Sequence, residues 1–357
     1  MEIAMVDERH VQQAMARTVL PATDTCAHEG YMEPAREDWA GRPLPRLRRL
    51  GRLHYVCYDV DEFHRLGIPG ASRENHGAVV FSHGFSEFAA KYGELVWYFL
   101  LAGFSVCVLE HRGHGYSARD VADDQIVTID DWRRYVADLA KFTKEVGGAY
   151  ARDGRLTLFA HSMGAGIAAA MLERHPNIVA RAVLSSPMIK ANTGVPNWLA
   201  AAVCGAACDL GRAKAMAPGQ HGFTPVIDWR DERGACAERL EWYKKLRIAN
   251  THYRTTAASN EWVRQAVRIS RAILDPDMCE RIDVPVLLFQ SGRDHWVSNP
   301  AQDVFVRRVG RDGGRISKVR IEDSVHEIFS MPNAVVAPYL QRIFRWLQSE
   351  ETVTVLP

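Results

Sequence analysis

One nine-residue stretch constrains this chain more than any other: Leu158-Phe159-Ala160-His161-Ser162-Met163-Gly164-Ala165-Gly166. Apolar, strand-forming residues run directly into a serine, and small residues suited to a closely packed helix follow at once. A strand that turns sharply into a helix holds the turn residue in a strained conformation, beside a helix N-terminus that favours negative charge. The pattern is G-x-S-x-G with Ala160 in place of the first glycine. It predicts a nucleophile elbow built on Ser162. A chance Ser-x-Gly turn is the bland alternative, and the strand before and helix after argue against it.

The remaining sequence supplies the setting such an elbow requires. Strand patterns at 53–60, 78–82, 105–110, 156–160, 182–185, 284–290 and 316–321 alternate with helical patterns at 92–101, 130–146, 165–173 and 334–347. Within 130–146, Trp132, Tyr135, Val136, Leu139 and Phe142 recur at three- and four-residue steps, the period of an amphipathic helix. Alternating strands and helices predict a mostly parallel sheet with helices on both faces. Together with the elbow this is an α/β class chain with the α/β-hydrolase fold. The rhythm breaks from 189 to 280, where Ala, Arg and Trp are frequent and no convincing buried strand is found; 260–273 reads as a helix. The expected division is an N-terminal arm (1–50), a first core part (51–188), an inserted helical cap (189–280) and a second core part (281–357). The arm does not read as core. Pro21, Pro34, Pro43 and Pro45 interrupt any regular pattern, and Arg42, Arg46, Arg48, Arg49 and Arg52 cluster beyond them. A solvated arm is the simple reading; a weak contact with anionic lipid headgroups is the functional one.

Composition removes several function classes. A net charge of +1 gives no reason to expect a nucleic-acid partner. The seven cysteines lack CxxC spacing, so no zinc site is expected, and free thiols fit a reducing compartment. Cys204 and Cys208 read as small apolar residues on one helix face. Residues 1–20 carry Asp7, Glu8, His10 and Arg17 rather than the unbroken apolar run of a signal peptide. No stretch approaches the roughly 18 apolar residues a membrane span requires. A cytoplasmic protein is expected, with room for peripheral contact with an anionic inner-membrane surface.

A serine is a weak nucleophile until a base takes its proton. On this fold the partners follow in the order serine, acid, histidine. His326 lies after the 316–321 strand, late enough to serve as base, whereas His295 sits too close to the acid candidate. Asp294 lies just past the 284–290 strand and is the expected orienting carboxylate, with Asp303 and Asp323 as fallbacks. An oxyanion hole needs two backbone N–H donors. Met163, next to the serine, is one; Phe85, in His83-Gly84-Phe85-Ser86-Glu87 after the 78–82 strand, is the other. His83 and Glu87 are expected to brace that loop. No cofactor or metal is expected.

These residues carry a resemblance. His83-Gly84-Phe85-Ser86-Glu87, Lys91-Tyr92, Glu110-His111-Arg112-Gly113-His114-Gly115-Tyr116-Ser117 and Ala160-His161-Ser162-Met163-Gly164 resemble the monoacylglycerol lipase and lysophospholipase family, most of all its cap-bearing bacterial lysophospholipases associated with the inner membrane. Glu261-Trp262-Val263-Arg264 and His326-Glu327-Ile328 extend the likeness, which runs from about residue 50 to the C-terminus. It implies cofactor-free hydrolysis of a single-acyl glycerolipid through an acyl-enzyme on Ser162, Asp294 and His326, with Phe85 and Met163 at the oxyanion hole. An amphipathic substrate needs an apolar channel. Trp198, Leu199, Trp242, Trp262 and Val263 of the cap are candidate lining residues, with cap-core packing as the alternative for each. Trp296, beside the acid, is a further candidate. Phe85 and Trp296 depart from the family pattern and bear on chain-length preference. Rival readings are another carboxylesterase or an S33-type aminopeptidase on the same scaffold, and a catalytically inactive binding protein; Ser162 in place of aspartate argues against a dehalogenase or epoxide hydrolase.

Overall fold

The protein is described here by a computed structural model covering residues 3–47, 50–152 and 155–349. The strands, in chain order, are β1 (Ala27–Met32), β2 (Leu53–Tyr58), β3 (Ala78–Ser82), β4 (Ser105–Leu109), β5 (Ile126–Val127), β6 (Leu156–His161), β7 (Arg181–Ser185), β8 (Ala257–Ala258), β9 (Val286–Ser291) and β10 (Ile316–Ile321). Eight of them form one sheet in the order β1-β2-β4-β3-β6-β7-β9-β10. From β4 to β10 every pairing is parallel, and β2 runs antiparallel to both β1 and β4.

The central strands are apolar along their whole length because both faces are covered. In β3, Val80 faces one core with Leu158 and Leu184, while Val79 and Phe81 face the other with Phe159 and Val183. Four helices cover the first face: α2 (Trp132–Phe142), α3 (Ser162–Leu172), α6 (Asn260–Ile273) and α7 (Asn299–Val309). Helices α1 (Gly93–Leu101) and α8 (Asn333–Gln348) cover the second. This is the mostly parallel, doubly covered sheet that the strand–helix rhythm predicted. Helix α3 begins at Ser162 rather than near 165, since the turn itself is confined to one residue.

The stretch 189–280 leaves the sheet after β7 and returns at β9. It contributes α4 (Asn197–Ala207), α5 (Ala237–Ala249) and α6, with α4 packed on α6. It is not entirely without strand: the two-residue β8 pairs in parallel with β5, Ile126 opposite Ala257 and Val127 opposite Ala258. Ser259 then caps α6 by accepting from Trp262 N–H at 3.0 Å.

The N-terminal segment departs from expectation. One side of it packs into the core, although many of its other residues are exposed. Ile3, Val6, Val11, Met15, Val19 and Cys26 are buried among the side chains of α1 and α8. Val6 N–H donates to the Tyr98 hydroxyl at 3.0 Å, Asn333 Nδ2 donates to Val6 O at 2.8 Å, and Asn333 N–H donates to Glu8 Oε2. β1 adds an edge strand to the sheet. Pro21 did not break the run: Val11–Thr23 is one continuous helical stretch, and its π turn Met15–Val19 ends just ahead of the proline. The spacing Val11, Met15, Val19 was the better signal. Of the basic cluster, Arg48 and Arg49 lie outside the described residues, and Arg42 pairs with Asp38.

Cys204 and Cys208 occupy successive turns, Cys204 buried; all seven cysteines are free. Among the described residues no helix is long and apolar enough to cross a membrane.

Candidate active site

The loops after β3, β6, β9 and β10 converge at the carboxyl ends of the parallel strands, where open α/β sheets place ligands. β6 ends at His161, and Ser162 opens α3 with φ +51°, the left-handed region that costs an L-residue about 1–2 kcal/mol. Two glycines make the elbow sterically feasible. A Cβ on Gly164 would collide with the Ser82 carbonyl oxygen, and one on Gly166 with that of Met188. Ala160 is wholly buried between β3 and β7, opposite Ser82 and Leu184, so a methyl group is tolerated there.

His326, on the loop after β10, lies with Nε2 2.8 Å from Ser162 Oγ and Nδ1 2.7 Å from Asp294 Oδ2. A proton on Nδ1 satisfies both contacts: the ring donates to the carboxylate and accepts from the serine hydroxyl. The Asp294 side chain is fully shielded from solvent, and its Oδ1 accepts from Trp296 N–H at 2.9 Å and Val297 N–H at 3.0 Å. Ser186 Oγ donates to His326 O at 2.8 Å and fixes the loop from below. Burial alone would lower the His326 pKa, but the Asp294 carboxylate at hydrogen-bond distance, aided by Glu327 and Glu87, raises it above the ordinary histidine value. The two fallback acids are elsewhere: Asp303 pairs with Lys318 at 2.6 Å, and Asp323 holds Arg293 through its carbonyl oxygen.

The loop carrying Phe85 is built around a buried carboxylate. Glu87 Oε2 accepts from Gly84 N–H and the Tyr92 hydroxyl, both at 2.5 Å, and from His161 Nδ1 at 3.2 Å. Burial opposes its charge, yet Lys91 and His161 hold Glu87 well below the usual carboxylate range. Beneath the loop lie three buried histidines. His83 Nε2 accepts from His111 N–H at 2.9 Å, and His111 Nε2 meets Ser82 Oγ at 2.8 Å. Burial lowers the pKa of His83, and of His111 and His114 strongly, so all three are neutral braces. Among the described residues, neither Phe85 N–H nor Met163 N–H donates to a backbone carbonyl outside its own element.

A small apolar cleft lies beside Met163, lined among others by Trp132, Tyr135, Met188, Trp262 and Ile269. Of the candidate lining residues, Trp262 reaches it. Val263 packs on the core beside it without lining it. Trp198 and Trp296 do not reach it: they are 67% and 55% exposed, Trp198 on the solvent side of α4 and Trp296 with its N–H committed to Asp294. Leu199 is also exposed, and Trp242 borders a different cavity next to Lys91. Sequence reasoning missed Trp132, Tyr135, Met188 and Ile269 as lining residues. Their helical spacing marked a buried face but not what that face surrounds.

Comparison with known proteins gives a consistent result. The profile of the family described as serine aminopeptidase, S33, matches residues 73–333. The chain is 26% identical over 223 residues to the probable lysophospholipase L2 of Haemophilus influenzae, covering 62% of this chain and 69% of that protein. It is 27% identical over 276 residues to lysophospholipase L2 of Escherichia coli strain K12, covering 74% and 78%. A soluble variant of monoglyceride lipase from Saccharomyces cerevisiae, solved with a substrate analog, superposes with a TM-score of 0.64 at 16% identity over 90% of this chain and 97% of that one. At that identity the likeness speaks to the fold.

Proposed function

This chain belongs to the serine aminopeptidase S33 family of α/β-hydrolases, and on that premise we propose that it hydrolyses the carboxylic ester of a single-acyl glycerolipid, a lysophospholipid or monoacylglycerol. The observation that carries the proposal is the unbroken chain Asp294 Oδ2, His326, Ser162 Oγ, with contacts of 2.7 and 2.8 Å. The apolar cleft beside Met163 and the names of the bacterial relatives favour a lipid acyl group over a peptide.

In this reading His326 takes the Ser162 proton as Oγ attacks the ester carbon. Asp294 holds the ring in the required tautomer and stabilises the imidazolium that forms. Charge develops on the former carbonyl oxygen, and Phe85 N–H and Met163 N–H receive it. Such a donor is typically worth ~100- to 1,000-fold in rate. His326 then returns the proton to the departing glycerol oxygen. Water, activated by the same histidine, releases the fatty acid from the acyl-enzyme. The 189–280 insertion acts as a cap, with Trp262 closing the acyl cleft. Transient contact with an anionic lipid surface belongs to the same reading, since the substrate resides there.

Two experiments test it. The purified protein is offered lysophosphatidylcholine, monoolein, short p-nitrophenyl esters and an aminoacyl p-nitroanilide in competition. Release of fatty acid from a monoacyl lipid is expected; preference for the anilide would transfer the assignment to an aminopeptidase, the reading that the family description keeps open. Labelling by a fluorophosphonate probe is expected at Ser162, and a folded protein that resists labelling would be a binding protein instead.

A further inference from the structure

Lys91 takes no part in the proposed reaction, yet its ammonium group touches three separate pieces of the site. It donates to Glu87 Oε1 at 2.7 Å, on the loop that carries Phe85. It also donates to Glu327 Oε1, on the residue next to His326. It stands 4.1 Å from the centre of the Tyr243 ring, on α5 of the inserted block. Tyr243 in turn donates its hydroxyl to Ser86 O at 3.0 Å, back on the Phe85 loop. The Lys91 side chain is 4% exposed and that of Glu87 3%, so none of these contacts is a loose surface pairing.

We propose that Lys91 is a positioning residue: by bridging Glu87 and Glu327 it fixes the separation between the oxyanion loop and the catalytic base, and through Tyr243 it registers both against the inserted block. The inference rests on the reading of Phe85, Ser162 and His326 given above. The chemistry suits a lysine. An ammonium offers three donors on a flexible stem, enough for two carboxylates on different loops and a ring face. An uncharged residue would leave the buried Glu87 and the partly buried Glu327 carboxylates near each other without the cation between them, although each keeps other donors. The clamp also has an electrostatic consequence. His326 is faced by Asp294, Glu327 and Glu87, by the His161 ring with centroids 5.0 Å away, and by Glu232 of the inserted block. Lys91 neutralises part of that negative surround. Removing it favours the imidazolium, whereas removing Glu327 disfavours it.

The test compares the full-length wild type with Lys91→Met, Lys91→Arg and Glu327→Gln on a soluble p-nitrophenyl ester, with thermal melts and fluorophosphonate labelling of each. Lys91→Met is expected to lower kcat ~10- to 100-fold with KM nearly unchanged, the signature of misplaced rather than missing machinery. Its acid limb of kcat/KM should move to higher pH, and Lys91→Arg should return the limb towards wild type. Glu327→Gln should also lower kcat, but move the limb to lower pH. If Lys91→Met does not fold, the kcat and pH profile of Glu327→Gln decide alone. Variants that keep kcat within about twofold and an unmoved limb, whatever their melting temperatures, overturn the inference. A wild type that resists the probe overturns the nucleophile assignment, and this inference with it.

Discussion

The rings of Phe85 and Trp262 lie 4.5 Å apart, centroid to centroid. The first belongs to the loop after β3 and the second to α6, so the loop proposed to bind the oxyanion leans directly on the insertion. Trp262 is 8% exposed and also lines the apolar cleft.

Trp262→Ala should therefore do two things. Loss of a buried tryptophan costs ~3–5 kcal/mol of stability, read as a lower midpoint in urea. Enlarging the cleft should shift preference along a series of p-nitrophenyl esters towards longer acyl chains. An unchanged chain-length profile in a folded variant would remove Trp262 from the acyl site.

The raised pKa of His326 has a direct kinetic sign. As the proposed base, His326 must be neutral to act, so kcat/KM should fall as pH drops through its pKa in the free enzyme, and that midpoint should lie above the ordinary value of 6.5. Asp294→Asn removes the chief raising partner. The limb should move to lower pH, and the plateau should fall by ~10⁴-fold if the serine-protease precedent holds. A comparable loss in Asp303→Asn, with Asp294→Asn active, would mean that the acid is misassigned.

Ser162 pairs a reactive hydroxyl with an unfavourable backbone angle, and the two can be separated. Ser162→Ala and Ser162→Gly should both abolish ester hydrolysis. Only the glycine variant is freed from the φ +51° penalty, so it should be the more stable by about 0.5–1 kcal/mol in chemical denaturation. Retained turnover in either variant would overturn the nucleophile.

Gly164→Ala should be damaging although it adds one methyl group. Its Cβ would meet the Ser82 carbonyl oxygen, and a backbone atom cannot swing aside. Overpacking of this kind costs ~1–3 kcal/mol, and here it would displace the elbow itself. Wild-type activity and melting temperature together would contradict the packing described.

Removing residues 1–26 should lower the melting temperature and the activity on soluble and lipid esters alike, since it strips Val11, Met15 and Val19 from a core shared with α1 and α8. Selective loss of lipid turnover, with the melting temperature kept, would instead restore a surface role to the segment.

Much of the arrangement was legible because it depends on local pattern. The continuous apolar runs of β3, β4, β6 and β9 are characteristic of strands covered on both faces; Phe85, Ser162 and Asp294 follow such runs, while His326 follows the alternating strand β10. What stayed hidden depends on tertiary partners. Nothing local in the first 26 residues says that Val6 will meet Tyr98 or that Glu8 will cap α8 at Asn333. Nor does sequence distinguish Trp262, turned into the core, from Trp198, turned to solvent; both are tryptophans near the start of a helix. The Lys91 bridge joins positions 236 residues apart and leaves no periodic trace.

The short pairing of β5 with β8 fixes where the insertion rejoins the core. Beside its two-residue ladder, Ser259 N–H donates to Val127 O at 2.9 Å, and Ser259 Oγ bonds Thr128 Oγ at 2.9 Å. Residues 257–259 are thus stitched to the sheet-side chain immediately before α6. The C-terminal third of the insertion is mechanically part of the floor. Amide hydrogens at 257–273 should therefore exchange with the slow kinetics of the sheet.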